Sequence, residues 1–143
     1  MKSWIEGLAR PELKGVAPYI SDRDVAGETG LRFADLNENA NDLFGSGLNR
    51  YPDPQSGALA GTIARYCGVG RGNVLLFNGS DEAIDILIRV FCRQGKDSVM
   101  VLEPTYSMYR ICAEANGIET VGVKLDGNFQ PDMKAILAVV KRK

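Results

Sequence analysis

The chain has 143 residues, 45% of them hydrophobic, which is the length of one ordinary domain with enough apolar side chains for a core. A formal net charge of -1 and the lack of a long apolar run or secretory leader favour a soluble cytoplasmic protein that binds neither nucleic acid nor membrane. Because it has no histidine and only three widely spaced cysteines, we expect reduced core cysteines, no Ser-His-Asp or Cys-His catalysis and no metal site.

Residues 1–55 are predicted to form an amino-terminal arm. They hold four of the six prolines and several short polar clusters, and we expect a short helix over Ser3 to Arg10 followed by extended chain. Such an arm buries little of itself, so it should lie against another surface. The segment RYPDP at 50–54 is stiff, because each proline fixes its own φ and restricts the residue before it. Tyr51 is either presented outward on this segment or packs on the nearest apolar surface.

From Ser56 onward the sequence alternates between helical and strand patterns. In chain order the pattern predicts a helix ended by Gly68, a strand over Val74 to Phe77, a helix capped by Ser80, a strand over Ser98 to Leu102, a helix over Thr105 to Asn116, a strand over Ile118 to Leu125 and a helix capped by Asp132. The β-α-β-α-β-α order predicts an α/β fold with a parallel sheet and crossover helices. Three strands make a small sheet, so we expect the chain to be the front part of a longer protein.

The turn at Asn78 and Gly79 connects a predicted strand to a predicted helix that opens with Ser80, Asp81 and Glu82. A glycine allows a sharp turn, and the start of a helix offers unpaired N–H groups at the positive end of the helix dipole. This arrangement suits the phosphate of a cofactor or substrate. The alternative is an ordinary capped helix after a strand, and these residues alone leave both interpretations open.

Tyr106 follows the second predicted strand within the segment EPTY at 103–106. In open α/β sheets, ligands bind outside the carboxyl ends of the strands, and the helix beginning at Ser80 lies at the same edge if the strands are parallel. The ring of Tyr106 could then stack on a flat heterocycle. A core aromatic is the alternative that remains open.

Several segments, in their family order, resemble the fold type I pyridoxal-phosphate (PLP) aminotransferases, and among them the histidinol-phosphate aminotransferases. The matching segments are RPELKGVAPY at 10–19, LNEN at 36–39, RYPDP at 50–54, NGSDEAID at 78–85, EPTYSMY at 103–109 and, more weakly, FQPD at 129–132. The resemblance implies a partial parallel or mixed sheet from the large PLP-binding domain over 56–143, preceded by the dimer-contacting arm over 1–55.

The activity implied by this resemblance is transfer of an amino group from histidinol phosphate to 2-oxoglutarate through PLP, by a cytoplasmic homodimer. The products would be imidazole acetol phosphate and glutamate, in histidine biosynthesis. Two alternatives remain open. One is another enzyme of the superfamily, such as an aromatic-amino-acid aminotransferase or a phosphothreonine decarboxylase. The other is a non-catalytic remnant that binds PLP or a partner.

The resemblance also assigns roles at the cofactor. Ser80 and Asp81 match the pair whose backbone amides hold the cofactor phosphate, and Gly79 allows its close approach. Tyr106 matches the aromatic residue that stacks on the pyridine ring. Tyr51 matches a tyrosine that crosses the dimer interface to the phosphate of the partner's cofactor.

Asn39 matches the point where the family's arm approaches the phosphate end of the substrate. The stretch ANDLFG at 40–45 departs from the family's Pro-aromatic-Gly pattern, so the resemblance implies no arm contact beyond Asn39. The lysine that binds the cofactor, the aspartate that faces its ring nitrogen and the arginine that binds the substrate carboxylate belong to motifs absent from this sequence. We therefore expect no catalytic residue in these 143 residues and no activity of this chain alone.

Overall fold

The computed structural model describes residues 4–20, 36–53 and 56–141. The chain divides into two compact units, the sheet unit of residues 1–16 with 77–143 and the arm unit of residues 17–76. The predicted division at residue 55 separates an arm from a PLP-binding domain by their expected functions, not by how compactly each part folds. It stays a prediction. Pro54, the second proline of the stiff segment, lies outside the described residues.

Five α-helices and two strands are found in these described ranges. In chain order they are α1 (Trp4–Leu8), α2 (Gly57–Cys67), α3 (Gly79–Phe91), β1 (Ser98–Glu103), α4 (Met108–Ala115), β2 (Glu119–Lys124) and α5 (Met133–Val140), with 3-10 turns at Pro11–Leu13 and Arg71–Asn73. Of the elements in these ranges, α2 and the second 3-10 turn belong to the arm unit. Among the helices of the described ranges, none is long and apolar enough to span a bilayer.

The two strands pair in parallel, from Ser98 opposite Glu119 to Glu103 opposite Lys124. Helix α4 lies between them in the sequence and packs on both strands. A parallel pair requires a long connection of this kind, because the chain must return to the same end of the sheet before the second strand begins. The α/β class predicted from the sequence is therefore confirmed.

The core of the sheet unit lies where α3 packs on α4. Ile88 of α3 contacts a buried cluster made by Cys112, Ala113 and Ile118, and this burial holds the two helices together. The prediction that all three cysteines are core residues is wrong for Cys67, which is exposed. Cys67 is the last residue of α2 and lies beyond the two alanines that this helix buries.

The strand predicted over Val74 to Phe77 is not formed. These residues belong to no strand, and the sheet of the described residues contains β1 and β2 alone. The apolar pattern predicts extended backbone, and Val74 is extended with φ -122° and ψ 122°. A strand also needs a neighbour that completes its hydrogen-bond ladder, and none of the described residues supplies one here.

The predicted helix ends agree with the structure where one local residue sets them. Helix α2 ends at Cys67, directly before Gly68, and the Asp132 carboxylate accepts the N–H groups of Lys134 and Ala135 at the start of α5. Helix α4 begins at Met108, three residues later than predicted, because residues 105–107 form the connection from β1.

Candidate functional site

Helix α3 begins with an unusual glycine at the predicted anion site. Gly79 has φ of 84°, a conformation that side-chain-bearing residues rarely adopt, and a Cβ placed there would meet no atom within 4 Å. Ser80, predicted as the cap, is instead the second helical residue, and Asn78 takes the cap position without a side-chain hydrogen bond. The Asn78 N–H donates to Glu82 Oε2 at 2.5 Å, so the first turn is closed by a glutamate rather than by a serine.

The first amides of α3 are open to an anion. Residues in the first turn of a helix have no partner within the helix, and the N–H groups of Gly79, Ser80 and Asp81 donate to no acceptor in the part of the chain that the structure describes. Gly79 and Ser80 are exposed and Asp81 is half-buried. Because the helix dipole is positive at this end, an anion reaching these amides would be stabilised.

Tyr106 lies next to this helix start. Its hydroxyl donates to Asp81 Oδ1 at 3.1 Å and lies 3.4 Å from Oδ2, although 25 residues separate the two in the sequence. The hydrogen bond to Asp81 raises the pKa of Tyr106, because only the protonated phenol can donate to the carboxylate. Tyr106 is 53% exposed, so it is not part of the core of the sheet unit.

Tyr109 and Arg110 are additional residues of this region that sequence reasoning did not single out. The ring of Tyr109 meets that of Tyr106 edge-on, with centroids 6.2 Å apart and planes at 90°. Arg110 donates to Thr120 Oγ1 at 2.7 Å and pairs with Glu103. Local spacing signals only part of this group: Tyr106 and Tyr109 lie three residues apart, and Arg110 lies 3.9 Å from Glu114, four residues further along α4. Its other two partners, Glu103 and Thr120, lie seven and ten residues away.

Tyr51 and Asn39 both lie in the arm unit, and Glu38 organises their surroundings. Its carboxylate accepts the Tyr51 N–H at 2.7 Å and pairs with Arg50 at 2.8 Å. The Tyr51 side chain is 61% exposed. Asn39 is also exposed, and its Oδ1 accepts the N–H of Asn41 at 3.0 Å. Two distant parts of the predicted arm are therefore tied together within one unit.

The stretch that departs from the family pattern folds around Asp42. Its carboxylate accepts three backbone N–H groups, from Phe44 at 3.3 Å, Ser46 at 3.1 Å and Gly47 at 2.8 Å. These bonds, above all the one from Gly47, lower the pKa of Asp42, because they stabilise its charged form. Leu43 and Phe44 stand out from this turn and are 78% and 83% exposed.

Comparison with known families identifies the class of protein. The family model described as aminotransferase class I and II matches residues 24–143. This match covers most of the chain, and the chain therefore belongs to the class I and II aminotransferases. The family resemblance carried by the sequence motifs is confirmed.

Three curated relatives of the chain carry the name histidinol-phosphate aminotransferase. The histidinol-phosphate aminotransferase of Christiangramia forsetii is 44% identical over 140 residues, which is 96% of this chain and 39% of that protein. The enzymes of the same name from Parabacteroides distasonis and Cytophaga hutchinsonii are 42% and 39% identical, covering 93% and 96% of this chain. The chain spans about two fifths of the length of the curated relatives it matches.

Proposed function

We propose that these residues are the amino-terminal part of a histidinol-phosphate aminotransferase. The whole protein would transfer an amino group from histidinol phosphate to 2-oxoglutarate, as a cytoplasmic homodimer that uses PLP. The observation that carries this proposal is the similarity to enzymes of that name, at 38–44% identity over 93–96% of the chain. The ordered motifs of the sequence support the same assignment.

The residues at the start of α3 fit the phosphate group of PLP. The amides of Ser80 and Asp81 offer two donors at the positive end of a 13-residue helix, and the missing side chain at Gly79 leaves open space beside them. When bound, PLP supplies the electron sink for amino-group transfer. The role of this part of the chain is to bind the phosphate and to fix the orientation of the ring.

Tyr106 is proposed to stack on the cofactor ring. Its hydrogen bond to Asp81 ties the aromatic side chain to the same helix turn whose amides would hold the phosphate. The bond also engages the Asp81 carboxylate, while the Asp81 backbone N–H has no acceptor among the described residues. One ligand with a phosphate and a flat ring matches both features.

The arm residues are proposed to act at the phosphates of the cofactor and the substrate. Tyr51 would reach the cofactor phosphate of the partner subunit, which its exposure and its backbone anchor on Glu38 support. Asn39 would approach the phosphate end of the substrate. Its Oδ1 is engaged by Asn41, and its Nδ2 has no acceptor among the described residues, so the free end of this amide is the donor end that suits a phosphate.

The test is substrate preference of the complete gene product. We expect PLP-dependent formation of glutamate from histidinol phosphate and 2-oxoglutarate, well above the rates with phenylalanine or tyrosine. A preference for aromatic amino acids, or release of carbon dioxide from phosphothreonine, would assign the protein to another branch of the superfamily. A complete gene product that binds PLP without transferring any amino group would show that it is a non-catalytic remnant.

A second experiment tests residues 1–143 by themselves. None of their seven lysines lies in the family's cofactor-lysine motif, so addition of PLP followed by borohydride should label no single lysine stoichiometrically. Mass spectrometry of the digested protein gives the labelled positions. Stoichiometric labelling of one lysine together with transamination of histidinol phosphate would show that this segment is a competent enzyme.

A further inference from the structure

A single ion pair joins the two ends of the connection that carries Tyr106. It runs from Glu103, the last residue of β1, to the first turn of α4, where Arg110 lies. The guanidinium of Arg110 reaches back to Glu103 and also donates to Thr120 Oγ1 on β2 at 2.7 Å. One side chain therefore fixes the end of β1, the start of α4 and the neighbouring strand relative to one another.

The carboxylate of Glu103 is confined on a further side by Gly122 of β2. A Cβ at Gly122 would lie 2.7 Å from both Cδ and Oε1 of Glu103, closer than real side chains approach. The carboxylate thus lies directly over the backbone of β2, in the space left by the missing side chain of Gly122. Its place is determined by its own strand, by Gly122 and by Arg110.

We propose that Arg110 and Glu103 are positioning residues that hold the 104–107 connection, so that the Tyr106 ring stays beside the first turn of α3. This inference rests on the proposed function, in which that ring stacks on the cofactor. Both side chains are about two fifths exposed, at 41% for Arg110 and 39% for Glu103, and pairs this exposed add little to global stability. Their effect is therefore local, on the geometry of the connection that they bracket.

The experiment measures PLP affinity of the complete gene product carrying Arg110→Gln or Glu103→Gln. The matched control is Arg93→Gln, which removes a similarly exposed ion pair with Asp97 at the opposite end of β1. We expect either test substitution to weaken PLP binding about threefold, within the range for a displaced aromatic contact, and the control to leave it unchanged. Equal affinities in all three variants would overturn the inference.

A double-mutant comparison separates this inference from the proposed function. Because Arg110 acts through Tyr106, Arg110→Gln should cause no further loss of affinity once Tyr106→Ala is present. An undiminished further loss would show that Arg110 acts by another route and would overturn the inference. If Tyr106→Ala alone has no effect on PLP binding, the proposed stacking role of Tyr106 fails instead.

The pKa of Tyr106 gives a further measurement that does not require the cofactor. Asp81 raises the pKa of Tyr106, with smaller effects from burial and from Cys112 and Tyr109. Loosening the connection in Arg110→Gln should weaken the Asp81 bond and move this pKa down towards the ordinary tyrosine value. Ultraviolet titration detects the change, and Tyr106→Phe identifies the signal. An unchanged Tyr106 pKa in Arg110→Gln would overturn the inference even in a protein that binds no PLP.

Discussion

The hydroxyl of Tyr106 donates to Asp81 Oδ1 at 3.1 Å, which joins the connection after β1 to the first turn of α3. An acidic side chain at a helix start interacts favourably with the dipole and competes with an external anion for the same positive end. Here the carboxylate is engaged by the phenol, while the backbone N–H groups of this turn have no acceptor among the described residues. The contact therefore holds the aromatic ring beside these backbone donors, as the proposed phosphate-binding and stacking roles require.

Replacing Tyr106 tests the stacking role. Tyr106→Ala should weaken PLP binding to the complete gene product by about 0.5–1.5 kcal/mol, the contribution of an aromatic pair beyond area burial. Tyr106→Phe is the control, because it keeps the ring and loses only the hydrogen bond to Asp81, so it should retain most of the affinity. Fluorescence titration with PLP measures both. Parental affinity in Tyr106→Ala would rule out stacking.

Hybrid dimers test the proposal that the whole protein is a homodimer in which Tyr51 acts across the subunit interface. In a dimer of one Tyr51→Ala subunit and one Tyr106→Ala subunit, action on the partner's cofactor leaves one site with both tyrosines intact. PLP titration of the isolated hybrid should then show one site of parental affinity and one weak site. If Tyr51 serves its own subunit, neither site is intact and no parental affinity remains.

The cap of α5 gives a prediction for local stability. Asp132 accepts the N–H groups of Lys134 and Ala135, and loss of such a cap costs about 1 kcal/mol. Asp132→Ala should therefore speed hydrogen exchange of these two amides by roughly fivefold. Asp132→Asn is the control, since its amide oxygen can still accept. Unchanged exchange in Asp132→Ala would mean that the cap does not limit opening of this turn.

The ion pair between Arg93 and Asp97 should contribute a stability that decreases at low pH. The side-chain and backbone hydrogen bonds from Arg93 lower the pKa of Asp97 from 3.8 to about 2. Because the pKa of Asp97 is lower in the folded state than in the unfolded state, its charged form stabilises the fold at pH values above the unfolded-state pKa. This stabilisation is lost as the pH falls through the folded-state pKa. The difference in melting temperature between the parent and Asp97→Asn should shrink between pH 4 and 2. A difference that stays constant over this range would contradict the prediction.

Local signals in the sequence predicted much of the sheet unit. The capping carboxylate of Asp132 and the apolar run of β1 depend on neighbouring residues alone, and both are found as predicted. The prediction of a strand over residues 74–77 was wrong, because strand pairing depends on a partner elsewhere in the chain. The cap of α3 was predicted two residues too late, at Ser80 instead of Asn78, since a glycine with positive φ and the bond from Asn78 to Glu82 replace a serine cap.

The contacts that support the candidate site could not be predicted from the sequence, because they too join residues that are brought together only by the fold. Arg110 meets Glu103 and Thr120 only because α4 crosses from one strand to the next, and no spacing rule for a single helix links these positions. Which residues face a ligand is a prediction from the family motifs alone, whereas the contacts that hold those residues depend on how the chain folds back.

Glu38 and Asp42 divide the segment from residue 38 to residue 51 into a fixed base and a replaceable tip. Glu38 binds Arg50 and the Tyr51 N–H at the base, and Asp42 closes the tip with its own carboxylate. A tip that is organised by its own side chain can change in length and composition while the base stays as it is. Substitutions in residues 40–45 that keep Asp42 are therefore expected to leave the Tyr51 backbone in place, because its N–H is held by Glu38 outside that stretch.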